Sequence, residues 1–392
     1  MIDWTLTAPD TLPADADRAT LVGRVWDPGV DGPCVVVLRG DTLWDVTETF
    51  PTMRTLTERD DAAAAAATAA GRKIAGLGEI LANTNPDARD VSRPWLLSPI
   101  DLHVVKAAGV TFPVSMLERI IEERARGEAD AAEGVRAQIS GALGSDLTAL
   151  VPGSPEAIRL KEVLIAEGLW SQYLEVGIGP DAEIFTKAPV MSTVGTSVDV
   201  GIRQDSQWNN PEPEIVLVIS SSGMIVGATL GNDVNLRDIE GRSALLLGQA
   251  KDNNGSAAVG PFIRLFDDDF GLDELRNEVV TLSVQGADGF RMSGTSPLAQ
   301  ISRDPADLAA QAIGAHHQYP DGLVLFLGTM FAPIDDRDEP GHGFTHHLDD
   351  VVEISSPRLG ALVNRVRHSD AIPPWDFGIA ALFTSLATRK VL

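Results

Sequence analysis

A single cysteine, Cys34, stands among 392 residues, so no disulfide can form within the chain. It sits in the apolar run Cys34-Val35-Val36-Val37-Leu38, where a thiol packs as a small hydrophobe. Positive charge is scarce as well: 31 lysines and arginines face 56 aspartates and glutamates, a formal charge of −25. Phosphate attraction dominates nucleic-acid binding, and on this surface it becomes repulsion, so neither nucleic acid nor an anionic membrane is expected as a partner. No apolar run approaches the roughly 20 residues of a membrane helix. The opening Met1-Ile2-Asp3-Trp4-Thr5 carries no basic or apolar leader pattern, and a cytoplasmic location is expected. There is no Gly-x-x-x-x-Gly-Lys-[Ser/Thr] phosphate loop, no Gly-x-Ser-x-Gly nucleophile turn and no internal repeat, which excludes the nucleotide-loop and serine-hydrolase readings.

What is present is an ordinary globular composition, 44% hydrophobic, enough for a large domain and a small one. Short β-like runs separated by turn residues fill Ala19 to Val46. Asp60-Asp61 followed by Ala62 to Ala70 reads as a helix with an acidic start and a basic end at Arg72-Lys73. The Asn-, Pro- and Asp-rich stretch from Asn83 to Arg93 is linker-like, which places a boundary between a small β-rich N-terminal unit, residues 1–94, and a larger unit, residues 95–392. Residues 122–167 read as helical scaffold. Asp304 caps a helix running to His316, which feeds an apolar strand, Gly322 to Thr329.

The most informative stretch is Pro211-Glu212-Pro213-Glu214-Ile215-Val216-Leu217-Val218-Ile219. With a strand's two-residue period, Glu212 and Glu214 share a face at the mouth of an apolar run. A Ser/Gly turn returns the chain through Met224 to Leu230, which brings Asp233 toward the glutamates. Three carboxylates converge with no lysine or arginine inside the segment. That is costly unless a cation joins them, and all-oxygen donors suit a hard divalent ion: Mg2+, with Mn2+ or Ca2+ possible. Read without the cation, the glutamates are solvated strand-entrance residues and Asp233 is a helix cap. The histidine-bearing loop His342 to His347 offers a weaker zinc set, because it has no cysteine and its glycines oppose the helix that would align His342 with His346.

The Glu-x-Glu strand, the segment Gly231-Asn232-Asp233-Val234-x-x-Arg237-Asp238, Lys251 and the late Leu327-Gly328-Thr329 occur in the order of the fumarylacetoacetate hydrolase family, which the chain resembles from about Leu96 to Val366. The resemblance implies an α+β fold dominated by strands: a mixed β-roll catalytic domain behind the small N-terminal one. It implies that Glu212, Glu214 and Asp233 hold the divalent ion, that Lys251 is an active-site cation, and that Thr329 contacts substrate. Arg237, Asn232 and Lys187, the last in a Phe-x-Lys-x-Pro pattern, are the further substrate contacts it points to. Where the family commonly shows Asn-Tyr-x-x-His-x-x-Glu, this chain has Phe112, Ser115 and Glu118. Serine is far too weak a base to activate water, which counts against C–C bond hydrolysis of a 2,4-diketo acid, the alternative activity.

Within the family, Trp208 to Glu214, Gly241 to Leu247 and Lys251 to Asn254 most resemble the sugar-acid branch, which implies a hydro-lyase acting on a 2-keto-3-deoxy sugar acid. Catalytic parts then fall to Lys251, Glu118 and Ser115. The partner expected is a small-molecule sugar acid, and the assembly expected is a homodimer or homotetramer.

Overall fold

The computed structural model describes residue 2 and residues 4–113, 116, 119–120, 150–166, 168, 170–331, 336–338 and 343–392. Strands dominate them. They are β1 (Leu21–Asp27), β2 (Gly32–Arg39), β3 (Thr42–Asp45), β4 (Arg72–Gly76), β5 (Trp95–Leu97), β6 (Val104–Gly109), β7 (Glu183–Ala188), β8 (Val198–Ile202), β9 (Asn209–Asn210), β10 (Pro213–Ile219), β11 (Ile225–Asp233), β12 (Asn235–Leu236), β13 (Ala257–Leu265), β14 (Val279–Gln285), β15 (Arg291–Pro297), β16 (Leu323–Phe326), β17 (Val351–Ser356) and β18 (Gly360–His368).

One sheet of 11 strands runs β4-β3-β2-β1-β13-β11-β10-β16-β6-β7, with β5 paired on β1; a second, of five, runs β15-β14-β17-β18-β8. The unbroken apolar run from Ile215 to Ile219 in β10 follows from burial on both of its faces. Ile215, Leu217 and Ile219 pack with Val280, Leu282 and Leu362 of the smaller sheet. Val216 and Val218 pack the other way, with Val22, Val35 and Phe50. The expected N-terminal unit therefore adjoins the rest without a break: β1 pairs with β13 through Leu21↔Arg264 and Val22↔Ile263, and shares a core with the strand of the glutamates.

The β10–β11 hairpin forms as its alternation and Ser/Gly turn predict, with Pro213 opposite Asn232 and Glu214 opposite Gly231. Asp233 closes a strand rather than capping a helix, and its N–H donates to the Glu212 carbonyl at 3.0 Å. Two boundaries differ from expectation. The alanine helix stops at Thr68, and Arg72 and Lys73 open β4, an edge strand. There Arg72 bonds Asp27 at 2.6 Å and Asp45 at 3.0 Å, so cross-strand carboxylates claim the charge assigned to a helix end. The helix capped by Asp304 ends at Ala312, because Ile313 is already extended.

Candidate active site

Sheet order gathers the site at one end of the large sheet. β16 is parallel to β6 and antiparallel to β10, and β7 is antiparallel to β6. The ends of β6, β11 and β16 and the starts of β7 and β10 therefore open on the same side, around one pocket. Among the described residues its wall carries five carboxyl residues, Glu183, Glu212, Glu214, Asp233 and Glu240, and three cationic ones, Arg119, Arg237 and Lys251.

At its base one oxygen from each of Glu212, Glu214 and Asp233 lies within 4.8 Å of the other two, and all three residues are buried; among the described residues no other group of histidine, cysteine and carboxylate side chains could hold an ion. Burial and the neighbouring Asp233 and Glu212 charges hold the Glu214 carboxyl well above the usual carboxylate range. A carboxyl that resists ionisation in this way is one that an added cation relieves, and three hard oxygen donors fit Mg2+ or a similar ion. The backbone helps: Gly328 N–H donates to Glu214 Oε2 at 2.7 Å. That approach needs glycine, since Gly328 has φ +86° and a Cβ there would lie 2.1 Å from Thr111 Oγ1.

Two lysines serve the triad. Lys251, ending the helix Leu247–Lys251, donates to Glu212 Oε2 at 2.5 Å and Asp233 Oδ2 at 3.1 Å. Burial works against its charge, but Asp233, Glu212 and Glu240 outweigh it and keep it an ammonium. Lys187 is fully buried, pairs with Asp233 Oδ1 at 2.7 Å and donates to the carbonyls of Val234, at 3.1 Å, and Lys251. It is absent from the pocket wall, so its placement is behind the carboxylates rather than toward substrate. Asn232 stands apart from the wall too, its Oδ1 accepting Glu212 N–H at 3.2 Å. The alternation that aims Asp233 into the pocket turns its neighbour away.

Thr329 and Arg237 do line the pocket. The Thr329 hydroxyl accepts Phe331 N–H at 3.0 Å, which leaves its own hydrogen to donate. Arg237 lies over the Trp208 ring, 4.2 Å from its centroid. Ser115, Glu118 and His342 lie outside the described residues, as does most of the 122–167 scaffold. Of the other loop histidines, His346 is buried 3.5 Å from Asp350 and His347 meets Asp338 at 3.1 Å.

Three pocket residues carried no recognisable signal in the sequence. Glu183 opens β7 opposite Gly109, where a Cβ would come within 2.2 Å of the Glu183 carboxyl. Burial, then Glu240, pushes that carboxyl up to about 7. Arg119 bonds Glu240 at 2.6 Å and also Glu212 Oε1. Glu183 reads as a strand-start charge, and Arg119 and Glu240 as helix-surface charges; only the chain's return to one place joins them.

Residues 176–367 match the family model described as fumarylacetoacetate (FAA) hydrolase C-terminal. The chain carries a fumarylacetoacetate hydrolase family domain. All of the triad, Lys251 and Thr329 fall inside it. A 2-dehydro-3-deoxy-D-arabinonate dehydratase of Saccharolobus solfataricus is 31% identical over 188 residues, which are 47% of this chain and 58% of that one. A probable 2-keto-3-deoxyxylonate dehydratase of Haloferax volcanii is 30% identical over 194 residues, 50% of this chain and 63% of that one. The matched segments thus span about three fifths of these relatives' lengths. Among solved structures, the apo form of a 2-keto-3-deoxy-D-arabinonate dehydratase superposes with a TM-score of 0.62 at 22% identity, covering 89% of this chain and 99% of that one. One of a 2-keto-3-deoxy-D-arabinonate dehydratase complexed with magnesium and 2,5-dioxopentanoate superposes at 0.60 with 21% identity and the same coverage. These likenesses establish the fumarylacetoacetate hydrolase fold as the architecture. No helix among the described residues is long and apolar enough to cross a membrane.

Proposed function

We propose that this protein is a metal-dependent hydro-lyase that removes water from a 2-keto-3-deoxypentonate to give 2-oxoglutarate semialdehyde. The observation that carries the reading is the buried triad of Glu212, Glu214 and Asp233 bridged by the Lys251 ammonium, in a domain whose curated relatives are both named dehydratases. Glu212, Glu214 and Asp233 would hold a Mg2+, which would supply Lewis acidity at the 2-keto acid end of the substrate and so favour loss of a C3 proton.

The chain's own residues account for the rest. Lys251, fixed by two carboxylates, faces the negative charge that develops on the C2 oxygen once C3 loses a proton. Thr329 and Arg237 orient the carboxylate end. Elimination needs a group that takes the C3 proton and returns it to the C4 hydroxyl as that leaves. Glu183, a pocket carboxyl balanced between its two forms near neutral pH, suits both halves. It fills the proton-handling part that the family comparison points to for Glu118. Loss of the C4 hydroxyl as water, followed by tautomerisation toward C5, leaves the semialdehyde. The reading also takes the protein as a small-molecule enzyme working as a homodimer or homotetramer in the cytoplasm.

The test is incubation with 2-keto-3-deoxypentonate and Mg2+, followed by mass analysis of the product. Loss of one water is expected. Cleavage of an acylpyruvate in its place, with the pentonate untouched, would assign the domain to hydrolysis.

The proton-handling part has its own test. Glu183→Gln keeps the side chain's shape but cannot carry a proton, and should lower kcat by about 10²–10⁴-fold with little change in KM. Glu118→Gln measured beside it decides between the two carboxyls: a large loss there, with Glu183→Gln close to native, returns the role to Glu118.

A further inference from the structure

Both oxygens of Glu212 are engaged, Oε2 by Lys251 and Oε1 by Arg119. A cation that takes Glu212 as a ligand meets the positive charge of both donors, and the two differ in how firmly they are held. Lys251 is 3% exposed and bound to Asp233 as well, so both of its carboxylate partners belong to the triad. Arg119 is 14% exposed, and a second partner, Glu240 at 2.6 Å, lies outside the triad on the short helix Arg237–Glu240. Releasing Glu212 costs Arg119 one ion pair while the Glu240 pair remains as a pivot. Its backbone is anchored meanwhile, because the neighbouring Met116 and Ile120 are buried in an apolar cluster with Val110, Tyr173 and Trp208.

We propose that Arg119 is an exchangeable counter-ion of the carboxylate triad: it yields Glu212 to a divalent cation and turns the freed arm of its guanidinium to the carboxylate of a 2-keto acid. The metal and the substrate class are those of the function proposed above, and the inference rests on that reading. The chemistry favours arginine for this part. Its planar fork serves two anions at once, so it can keep Glu240 while it pairs with a planar carboxylate, whereas an ammonium offers only a point charge. Arg119 then links the two ligands. It opposes the cation when substrate is absent and binds the substrate anion once the cation has displaced it, so the cation binds first.

The inference predicts effects of opposite sign from one substitution. Arg119→Met removes a positive charge beside the triad and should tighten Mg2+, titrated alone by calorimetry, about tenfold. With Mg2+ saturating, the same variant should bind pyruvate, the smallest 2-keto acid, about 10–100-fold more weakly in an NMR titration, as the loss of a charge-assisted hydrogen bond dictates. Arg119→Lys keeps the charge and guards against a folding defect in the first variant. It should bind Mg2+ within about threefold of native and pyruvate about tenfold more weakly. Unchanged or weaker Mg2+ binding in a folded Arg119→Met overturns the proposal, as does unaltered pyruvate affinity or a native protein that binds no Mg2+. A native protein that binds both probes yet dehydrates no 2-keto-3-deoxypentonate sinks the function reading and leaves the exchange standing.

Discussion

Alanine in place of Glu212, Glu214 or Asp233 should lower kcat for dehydration by more than about 10³-fold, with Mg2+ binding lost in the same variants. All three side chains are buried and their oxygens converge within 4.8 Å, so no exposed carboxylate can substitute for a missing one. The three differ in what they cost the fold. Removing Glu214 deletes a carboxyl whose ionisation is already disfavoured, but it strands the Gly328 N–H, at about 1–3 kcal/mol. Removing Asp233 leaves Lys187, fully buried, without its carboxylate and should destabilise more, about 3–5 kcal/mol. Activity before and after exhaustive chelation, with Mg2+ or Mn2+ added back, is the companion measurement. Full activity in the chelated protein would remove the metal from the reaction.

Lys251→Met should reduce turnover by about 10²–10³-fold, because it takes away the one ammonium that faces both the triad and the developing oxyanion. It should also leave a second signature in stability. Without the lysine, Glu212 and Asp233 lose a shared counter-charge in a buried setting, which destabilises by a few kcal/mol. Mg2+ would restore that loss by binding the folded state only, so the variant's melting temperature should rise more on adding Mg2+ than the native protein's does. Turnover within tenfold of native, or equal Mg2+ effects on the two melting temperatures, would put Lys251 outside the site.

The parts of the site that could be read beforehand are those whose signal is local. Period-two alternation and a Ser/Gly turn suffice to bring Glu212, Glu214 and Asp233 together, and that hairpin forms with Pro213 opposite Asn232. Family order added Lys251 and Thr329, which meet the triad from a helix end and a strand end far along the chain. Glu183, Arg119 and Glu240 could not be read in this way, because an acidic or basic residue at a strand start or on a short helix is ordinarily solvated; the strand order β16-β6-β7 brings Glu183 and Arg119 to the triad, and Glu240 reaches it on the short helix that follows β12. Lys187 shows the same limit from the opposite side. Its motif marks it as close to the active site, while its full burial behind Asp233 depends on the packing of β7 over the β11–β12 turn.

Sheet continuity has a further consequence. β1 lies along β13, and β13 lies along β11, the strand that ends in Asp233. Cutting away residues 1–94 would therefore not release an independent catalytic piece. It would bare the edge of β13 at Ile263 and Arg264, which pair with Val22 and Leu21, in a strand that is buried from Ala257 to Leu265 and lies one strand away from the carboxylates. It would also uncover Val216, Val218, Ile263 and Leu265, which share an apolar core with Val22, Val35 and Phe50, so the truncated protein should self-associate through that bared face. The N-terminal segment thus covers the apolar face of the sheet while, among the described residues, none from 1–94 lies in the wall of the pocket.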